Sequence, residues 1–99
     1  MPVYIVGQLR VEDWAWYRTY RSVTEPLVAR HGGKYLIKGE PIAHLEGSGS
    51  TPSALVLIEF PSEQQARRWY QDPEYIPMIE LRKSSGVDTE LYLASAFED

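Results

Sequence analysis

The segment Ala54–Arg82 constrains the fold more than any other part of the chain. Its first part, Leu55–Phe60, is an apolar run interrupted only by Glu59, which is typical of a strand that is covered on both faces. Pro61 follows directly and ends the strand. A buried strand with a sharp stop sets the architecture of the second half of the chain, because both of its faces must be covered.

Two helix start signals follow that strand. Ser62 with Gln65 three residues later forms a capping box, so we expect a helix to begin at Ser62. Asp72 followed by Pro73 repeats the signal, with Asp72 as N-cap and proline at the first helical position. The two predicted helices have inner faces made of Ala66, Trp69 and Tyr70 in the first and of Tyr75, Met78, Ile79 and Arg82 in the second.

Four further segments carry periodic patterns. Strands are predicted at Val3–Leu9, Lys34–Lys38 and Glu90–Phe97, and a helix at Glu12–His31. The apolar stripe of that helix comprises Trp14, Tyr17, Tyr20, Arg21, Thr24, Leu27, Val28 and His31. Pro26 within the stripe predicts a kink or a split, and Gly32-Gly33 predicts its end. Ile42–Leu45 either extends the second strand or forms a short one, and Ser48–Ser53 is expected to be a loop.

The order of elements is therefore βαββαβ, with the second helical segment broken in two. This order predicts an α+β, ferredoxin-like sandwich in which helices cover one face of a four-stranded antiparallel sheet. The strands carry apolar residues on both faces, so the helix-free face needs a second cover. A second copy packed sheet on sheet would supply it, which predicts a homodimer.

Composition bounds the class of protein. A chain of 99 residues holds one domain, here taken as 1–99, and its net charge of −4 argues against binding to nucleic acid. Cysteine is absent, which excludes disulfides and thiolate chemistry. The amino terminus enters a strand without a charged leader, and no apolar run is long enough to span a bilayer, so we expect a cytoplasmic protein without a membrane partner.

Several spaced elements resemble the domain-of-unknown-function 1330 family of the dimeric α+β barrel superfamily. They are the run IEFPS, Ala66, Trp69-Tyr70, Pro73-Glu74-Tyr75, Leu81-Arg82 and the segment HGGKYLIKG from His31 to Gly39. The resemblance covers essentially the whole chain and implies a two-sheet dimer, a dimeric α+β barrel. It implies little about chemistry, because the superfamily includes cofactor-free monooxygenases, isomerases, haem-degrading enzymes and stress-response proteins.

Arg82 is the first candidate for function, because it lies on an inner helix face where a free cation is costly to bury. It is expected to pair with Glu59 or Asp88, to hold an anionic ligand, or to extend to solvent. The aromatic stripe of the first helix is either core or the wall of a cleft. In the second case Tyr17, Arg21, Trp69, Tyr75 and Arg82 are predicted to contact a ligand.

The two histidines are the remaining candidates. His31 is favoured as a cation at a helix C-terminus, and it is also the first choice for a catalytic base. Neither His31 nor His44 has metal-ligating neighbours at helical spacing, so no metal and no cofactor is expected.

Three functions remain open on these residues. The chain binds a small aromatic or acidic metabolite between sheet and helices; or it is a cofactor-independent oxygenase or isomerase that uses the same pocket; or it is an interaction module without a ligand.

Overall fold

The structure, a computed structural model, describes residues 1–39 and 41–98. It contains β1 (Val3–Arg10), α1 (Tyr17–Arg30), β2 (Lys34–Gly39), β3 (Ala54–Phe60), α2 (Glu63–Tyr70), α3 (Ile76–Ser84) and β4 (Asp88–Ser95). The strands form one antiparallel sheet in the order β2-β3-β1-β4. This is the predicted α+β, ferredoxin-like arrangement, and the prediction of fold class is confirmed.

One face of the sheet carries the core. Alternation along β1 directs Val3, Ile5 and Leu9 toward the helices, and all three are buried. In β3 the residues on this face include Ile58 and Phe60. The buried side chains form two clusters. The larger one centres on Phe60, Trp69 and Tyr75, and the smaller consists of Leu9, Trp16, Ala54 and Val87.

The other face has no helix over it. It carries half-buried apolar residues, of which Val6 on β1 and Leu57 on β3 face each other across the ladder. Tyr92 on β4 pairs with Val6 and is half exposed. Val3 and Ile5 lie on the opposite face, where the helices already bury them. The apolar open face is therefore smaller than the apolar content of the strands suggests.

Helix α1 begins five residues later than predicted. The predicted start at Glu12 is wrong because the Asp13 carboxylate accepts a hydrogen bond from the Ala15 amide, at 2.9 Å, and holds a turn in front of the helix. This turn allows Trp16 to enter the smaller core cluster. The helix runs without a break through Pro26, so the predicted split did not occur.

The capping box of α2 is confirmed. The Ser62 hydroxyl accepts a hydrogen bond from the Gln65 amide at 3.2 Å. The second start signal caps a turn rather than the helix itself: the Asp72 carboxylate accepts from the Glu74 amide at 2.9 Å, and α3 begins at Ile76. On the inner faces Ala66, Trp69, Tyr75, Ile79 and Arg82 are buried and Met78 is half-buried, whereas Tyr70 is exposed.

The glycine pair after α1 has two separate roles. Gly32 has a φ of 83°, in the left-handed region that ends helices. Gly33 is needed for close packing, because a Cβ there would lie 2.7 Å from both Phe60 Cε1 and Val28 Cγ1. The pair therefore ends α1 and also lets the chain pass close to the larger core cluster.

Two other predictions differ in their bounds. Ile42–Leu45 forms no strand, and the last strand ends at Ser95, which leaves the Phe97 side chain exposed. None of the helices in residues 1–39 and 41–98 is long and apolar enough to cross a bilayer.

Candidate functional site

A cavity of about 440 Å³ lies between the helix-covered face of the sheet and helices α1 and α3. Its volume is within the range of small-molecule sites. Seven aromatic side chains line it: Trp14, Trp16, Tyr17, Tyr20, Tyr35, Trp69 and Tyr75. Its floor is formed by apolar residues of three strands, among them Ile5, Val56 and Leu91.

The cavity exists because the core is divided. Tyr20 and Val56 pack against both core clusters, and both line the cavity, so the space lies between the clusters. Gly7 contributes to this gap. It stands on β1 between two lining residues, opposite Val56 and Leu91, and offers no side chain of its own. A Cβ at Gly7 would lie 2.9 Å from Leu91 Cδ2.

Arg82 is the central polar group of the cavity. Its Nη1 donates hydrogen bonds to the hydroxyls of Tyr20 and Tyr75, each at 3.1 Å, and the two hydroxyls are 2.6 Å apart. Only 3% of Arg82 is exposed. Within the part of the chain that the structure describes, no carboxylate lies within ion-pairing distance of this guanidinium. The described residues of the inner cavity therefore carry a positive charge that no anion balances.

The predicted ion pair of Arg82 with Glu59 or Asp88 is thus wrong. Alternation along β3 directs Glu59 to the open face, where it accepts a hydrogen bond from the Tyr4 hydroxyl at 3.2 Å. Asp88 lies opposite Arg10 on the same open face. The sheet therefore separates both carboxylates from Arg82.

The protonation of Tyr75 and Arg82 follows from their surroundings. Burial raises the pKa of Tyr75 in spite of the neighbouring guanidinium, so Tyr75 is a neutral phenol at physiological pH. Burial opposes the charge on Arg82, but its contacts with Tyr75 and Tyr20 outweigh it, and the pKa of Arg82 lies above its ordinary value. The site therefore combines the Arg82 cation with the neutral Tyr75 phenol.

The hydroxyl protons of this group exceed its acceptors. Each tyrosine oxygen accepts from Arg82, and only one of the two O–H groups is used in the bond between Tyr20 and Tyr75. The other O–H has no acceptor among the described residues. The group is therefore prepared to donate to a further oxygen.

Other buried polar atoms around the cavity also lack partners. Five such atoms occur in the described residues, and every one belongs to a residue that lines the cavity: Trp16 Nε1, Thr24 Oγ1, Trp69 Nε1, Arg82 Nε and Thr89 Oγ1. Buried polar groups are normally hydrogen-bonded. Three of the five are N–H groups that can only donate, and the other two are hydroxyls that can donate. Each of these atoms has almost no accessible surface, so it lies within the cavity wall and does not itself face the open space.

An ion-pair network of three residues forms part of the cavity wall on its more exposed side. Glu25 on α1 accepts a hydrogen bond from Arg21 Nε at 2.9 Å and also pairs with Lys38 on β2. Partial burial opposes the charge on Glu25, but Lys38 and Arg21 together hold the pKa of its carboxyl below the ordinary value. This network ties α1 to β2, and its two cations and one carboxylate leave a net charge of +1.

The aromatic side chains form two sets that meet where Tyr20 and Tyr75 lie side by side, with 6.1 Å between ring centroids. Trp69 stacks on Tyr75 with 4.6 Å between ring centroids, which fixes the wall behind Arg82. Trp14 and Trp16 stack at 6.0 Å, and Trp16 contacts the edge of Tyr20 at 5.2 Å. These contacts restrict the rings to orientations that a planar ligand can meet face on or edge on.

All five predicted ligand contacts line this one cavity. Tyr17 and Arg21 approach it from α1, Trp69 from α2, Arg82 from α3, and Tyr75 from the turn before α3. The structure therefore brings them together, although the sequence spaces them over more than half of the chain. Their contact with a ligand stays a prediction.

His31, the predicted base, is not among the residues that line the cavity. Its Nε2 lies 2.7 Å from the Asp72 carboxylate, at the far end of α1. The hydrogen bond from His31 is the main reason that the pKa of Asp72 lies below its ordinary value. His31 joins α1 to the turn before α3, which is a structural role. The described residues contain no cluster of three or more histidine or carboxylate side chains, and the expectation of a metal-free protein stays a prediction.

Several cavity residues were not predicted from the sequence. Trp16 was not on the predicted stripe, because a helix starting at Glu12 would direct it away from the core. Tyr35 and Lys38 were missed because β2 gave no sign of which face the helices would cover. Burial raises the pKa of Tyr35, which therefore stays a neutral phenol in the wall. The signal in the sequence that could have pointed to Trp16 is its position two residues after Trp14, which places two tryptophans just before α1.

Comparisons with known proteins agree with this fold. The family model described as Domain of unknown function (DUF1330) matches residues 2–97. The chain is similar to RPA0582, a protein of unknown function from Rhodopseudomonas palustris, with 20% identity, a TM-score of 0.79, and 99% of this chain and 84% of that chain covered. It is also similar to SnoaB, a cofactor-independent oxygenase from Streptomyces nogalater, with 17% identity, a TM-score of 0.68, and coverage of 99% and 95%. No curated protein matches. At these identities the similarity to the two structures shows a shared α+β barrel fold, and it does not bear on activity.

Proposed function

Because the chain belongs to the DUF1330 family, whose description assigns no activity, its function has to be inferred from the cavity, and we propose that the protein is a cytoplasmic homodimer that binds a small aromatic anion there. The single observation that carries this proposal is Arg82, a buried guanidinium that lines an aromatic cavity and pairs with no carboxylate among the described residues. A ligand with an anionic oxygen would balance its charge.

The charge of the cavity supports an anion. Arg82 is buried, and its Nε–H has no partner among the described residues. A guanidinium has a strong preference for carboxylates and other oxyanions, which it binds through two parallel hydrogen bonds. A carboxylate beside Arg82 could accept from the guanidinium and from the unused phenolic O–H of the tyrosine pair.

The walls support an aromatic ligand. Trp69, Tyr75 and Trp16 present rigid rings, and the floor is apolar. Sites of this kind bury most of a planar ligand and orient it by a few polar groups. An aromatic ring carrying a carboxylate or a phenolate combines both requirements.

Binding can be measured through intrinsic fluorescence, since all three tryptophans of the chain line the cavity. We expect saturable quenching by aromatic carboxylates and weaker quenching by the matched uncharged amides. Arg82→Met should abolish the preference for the acid. Arg68→Met, a change at an exposed arginine on α2, is the control and should preserve it. Equal binding of acid and amide to the wild-type protein would contradict the proposal.

A cofactor-independent oxygenase is the second candidate, because the fold is similar to that of SnoaB. Such an enzyme uses electrons of the deprotonated substrate to reduce O₂, and Arg82 with the two tyrosine hydroxyls could stabilise the resulting oxyanion. The cavity lacks the predicted base His31, so an already acidic phenol is the better substrate. Oxygen consumption with electron-rich phenols, in protein treated with a chelator, tests this candidate. No uptake above the Arg82→Met background would reject it.

The homodimer is supported by the apolar residues on the open face. Val6, Leu55 and Leu57 are only half-buried there, and Tyr92 is 54% exposed. Two sheets packed face to face would bury these side chains around a two-fold axis. An interaction module without a ligand, the third alternative, would form the same dimer but would show no saturable binding in the fluorescence titration.

A further inference from the structure

Gly7 is a glycine that its own backbone does not require. It lies in the middle of β1, it is not among the glycines with positive φ, and β1 pairs with β3 and β4 in continuous register, without a bulge. A glycine inside a strand weakens it, and it often marks either a bulge or a place where another group comes close to the backbone. With no bulge present, a close approach is the remaining reason for glycine at this position.

The space above Gly7 belongs to the cavity. Alternation along β1 directs position 7 to the helix-covered face, between Ile5 and Leu9. Its partners across the sheet are Val56 on β3 and Leu91 on β4. All four neighbours line the cavity, so a side chain at position 7 would rise from the middle of its floor.

Only the two neighbouring strands come close to this point. The atoms nearest to a Cβ at Gly7 would be Leu91 Cδ2 at 2.9 Å, Val56 Cβ at 3.5 Å and the Val56 carbonyl oxygen at 3.9 Å. No helix atom of the described residues lies nearer than these, although the helices cover this face of the sheet. The backbone at Gly7 is therefore open toward the cavity, apart from the end of the Leu91 side chain.

We propose that Gly7 is a ligand-binding residue, and that the aromatic ring of the anion lies directly on the β1 backbone at this position. This inference rests on the proposed function and adds the residue that receives the ring. A ring in van der Waals contact with Gly7 occupies the room that a Cβ would fill. A methyl group there would hold the ring off the floor, just as overpacking disturbs a core. The competing explanation is that the glycine only makes room for Leu91.

Gly7→Ala in a Leu91→Val background separates the two explanations, because valine lacks the Cδ atoms that the new methyl group would meet. Calorimetry measures the affinity for benzoic acid and 2-naphthoic acid, and urea melts measure stability. Compared with Leu91→Val alone, the double variant should be no less stable. It should bind the tighter of the two acids about fivefold or more weakly, as a methyl group in the place of the ring implies.

Gly49→Ala is the matched control, because a Cβ at Gly49 would meet open space, and it should leave the affinity as in the wild-type protein. If the double variant binds the acid as tightly as Leu91→Val does, the glycine serves only Leu91 and the inference is overturned; the proposed function then stands if binding still depends on Arg82. If neither acid binds the wild-type protein, both fail. Should the double variant not fold, a crystal structure of the wild-type protein with the bound acid decides. A ring within about 4 Å of Gly7 Cα supports the inference, and a ring elsewhere overturns it.

Discussion

Replacing Arg82 by methionine separates a structural from a ligand-binding role for this residue. Methionine keeps the length and most of the volume of the side chain and removes the charge. Two opposing effects decide the stability of the variant. It loses two hydrogen bonds from a cation to Tyr20 and Tyr75, about 1.5–3 kcal/mol each. It also loses the cost of burying the cation, which is several kcal/mol.

These two effects nearly cancel, because no buried carboxylate in the described residues is left unpaired and Tyr20 and Tyr75 still bond each other. We therefore expect the free energy of unfolding to change by no more than about 2 kcal/mol. Breaking a buried ion pair would instead cost about 3–5 kcal/mol. In a chain of 99 residues that loss would lower Tm by about 12 °C or more.

Thermal melts with and without an aromatic acid are the assay. The wild-type protein should be stabilised by the acid. Arg82→Met should melt near the wild-type temperature without ligand, and its affinity for the acid should fall about 30-fold or more, as loss of a buried charge-assisted contact implies. Arg68→Met should behave as the wild-type protein in both melts. A large fall in the Tm of Arg82→Met, with ligand affinity unchanged, would refute the reasoning.

Three further predictions concern the scaffold. The pKa of Asp72 is lowered in the folded protein, so its contribution to stability is complete above its ordinary pKa near 4 and is lost as the pH falls through the folded value. Asp72→Asn lacks this contribution at every pH. The free energy of unfolding of the variant should therefore fall less than that of the wild-type protein between about pH 5 and about pH 2. Gly33→Ala should destabilise by about 1–3 kcal/mol in urea melts because its Cβ meets two core side chains, whereas Gly49→Ala, with open space around it, should change little. Leu57→Asp on the open face should lower the mass measured by light scattering to that of a monomer, and a wild-type protein that is already monomeric at micromolar concentration would contradict the proposed dimer.

The fold could be predicted because its signals are local. Apolar runs, the capping box at Ser62 and the glycine pair after α1 each act within a few residues, and each was found where expected. The inner faces of the helices also predicted which side chains would meet. Periodicity placed Tyr17, Trp69 and Arg82 on faces that turn toward the sheet, and these faces enclose the cavity.

The partner of Arg82 could not be predicted with the same means. Glu59 is the only charged residue in its strand, which made it the obvious candidate, but the two-residue period of the strand puts it on the same face as Leu57. Both faces of β3 carry apolar residues, so the sequence alone does not show which face the helices cover. Pairing of β3 with β1 and β2 settles this, and it directs Glu59 away from Arg82.

The roles of Trp16 and His31 depended on tertiary contacts. The turn held by Asp13 moves the start of α1 and so brings Trp16 into the core, which outweighs the helical pattern that runs through residues 12–16. His31 ends the apolar stripe as predicted, yet its position opposite Asp72 results from the path of the chain between α2 and α3. Neither contact has a signature within the segment that contains the residue.

A crystal structure of the protein with the aromatic carboxylate that binds most tightly in the fluorescence titration tests the central claim most directly. We expect one molecule in the cavity between sheet and helices, with its carboxylate within hydrogen-bond distance of the Arg82 guanidinium and its ring against Trp69 and Tyr75. The carboxylate should also accept a hydrogen bond from the tyrosine pair. A ligand bound elsewhere, or a carboxylate directed away from Arg82 in a fully occupied cavity, would contradict the claim that this buried arginine recognises an aromatic anion.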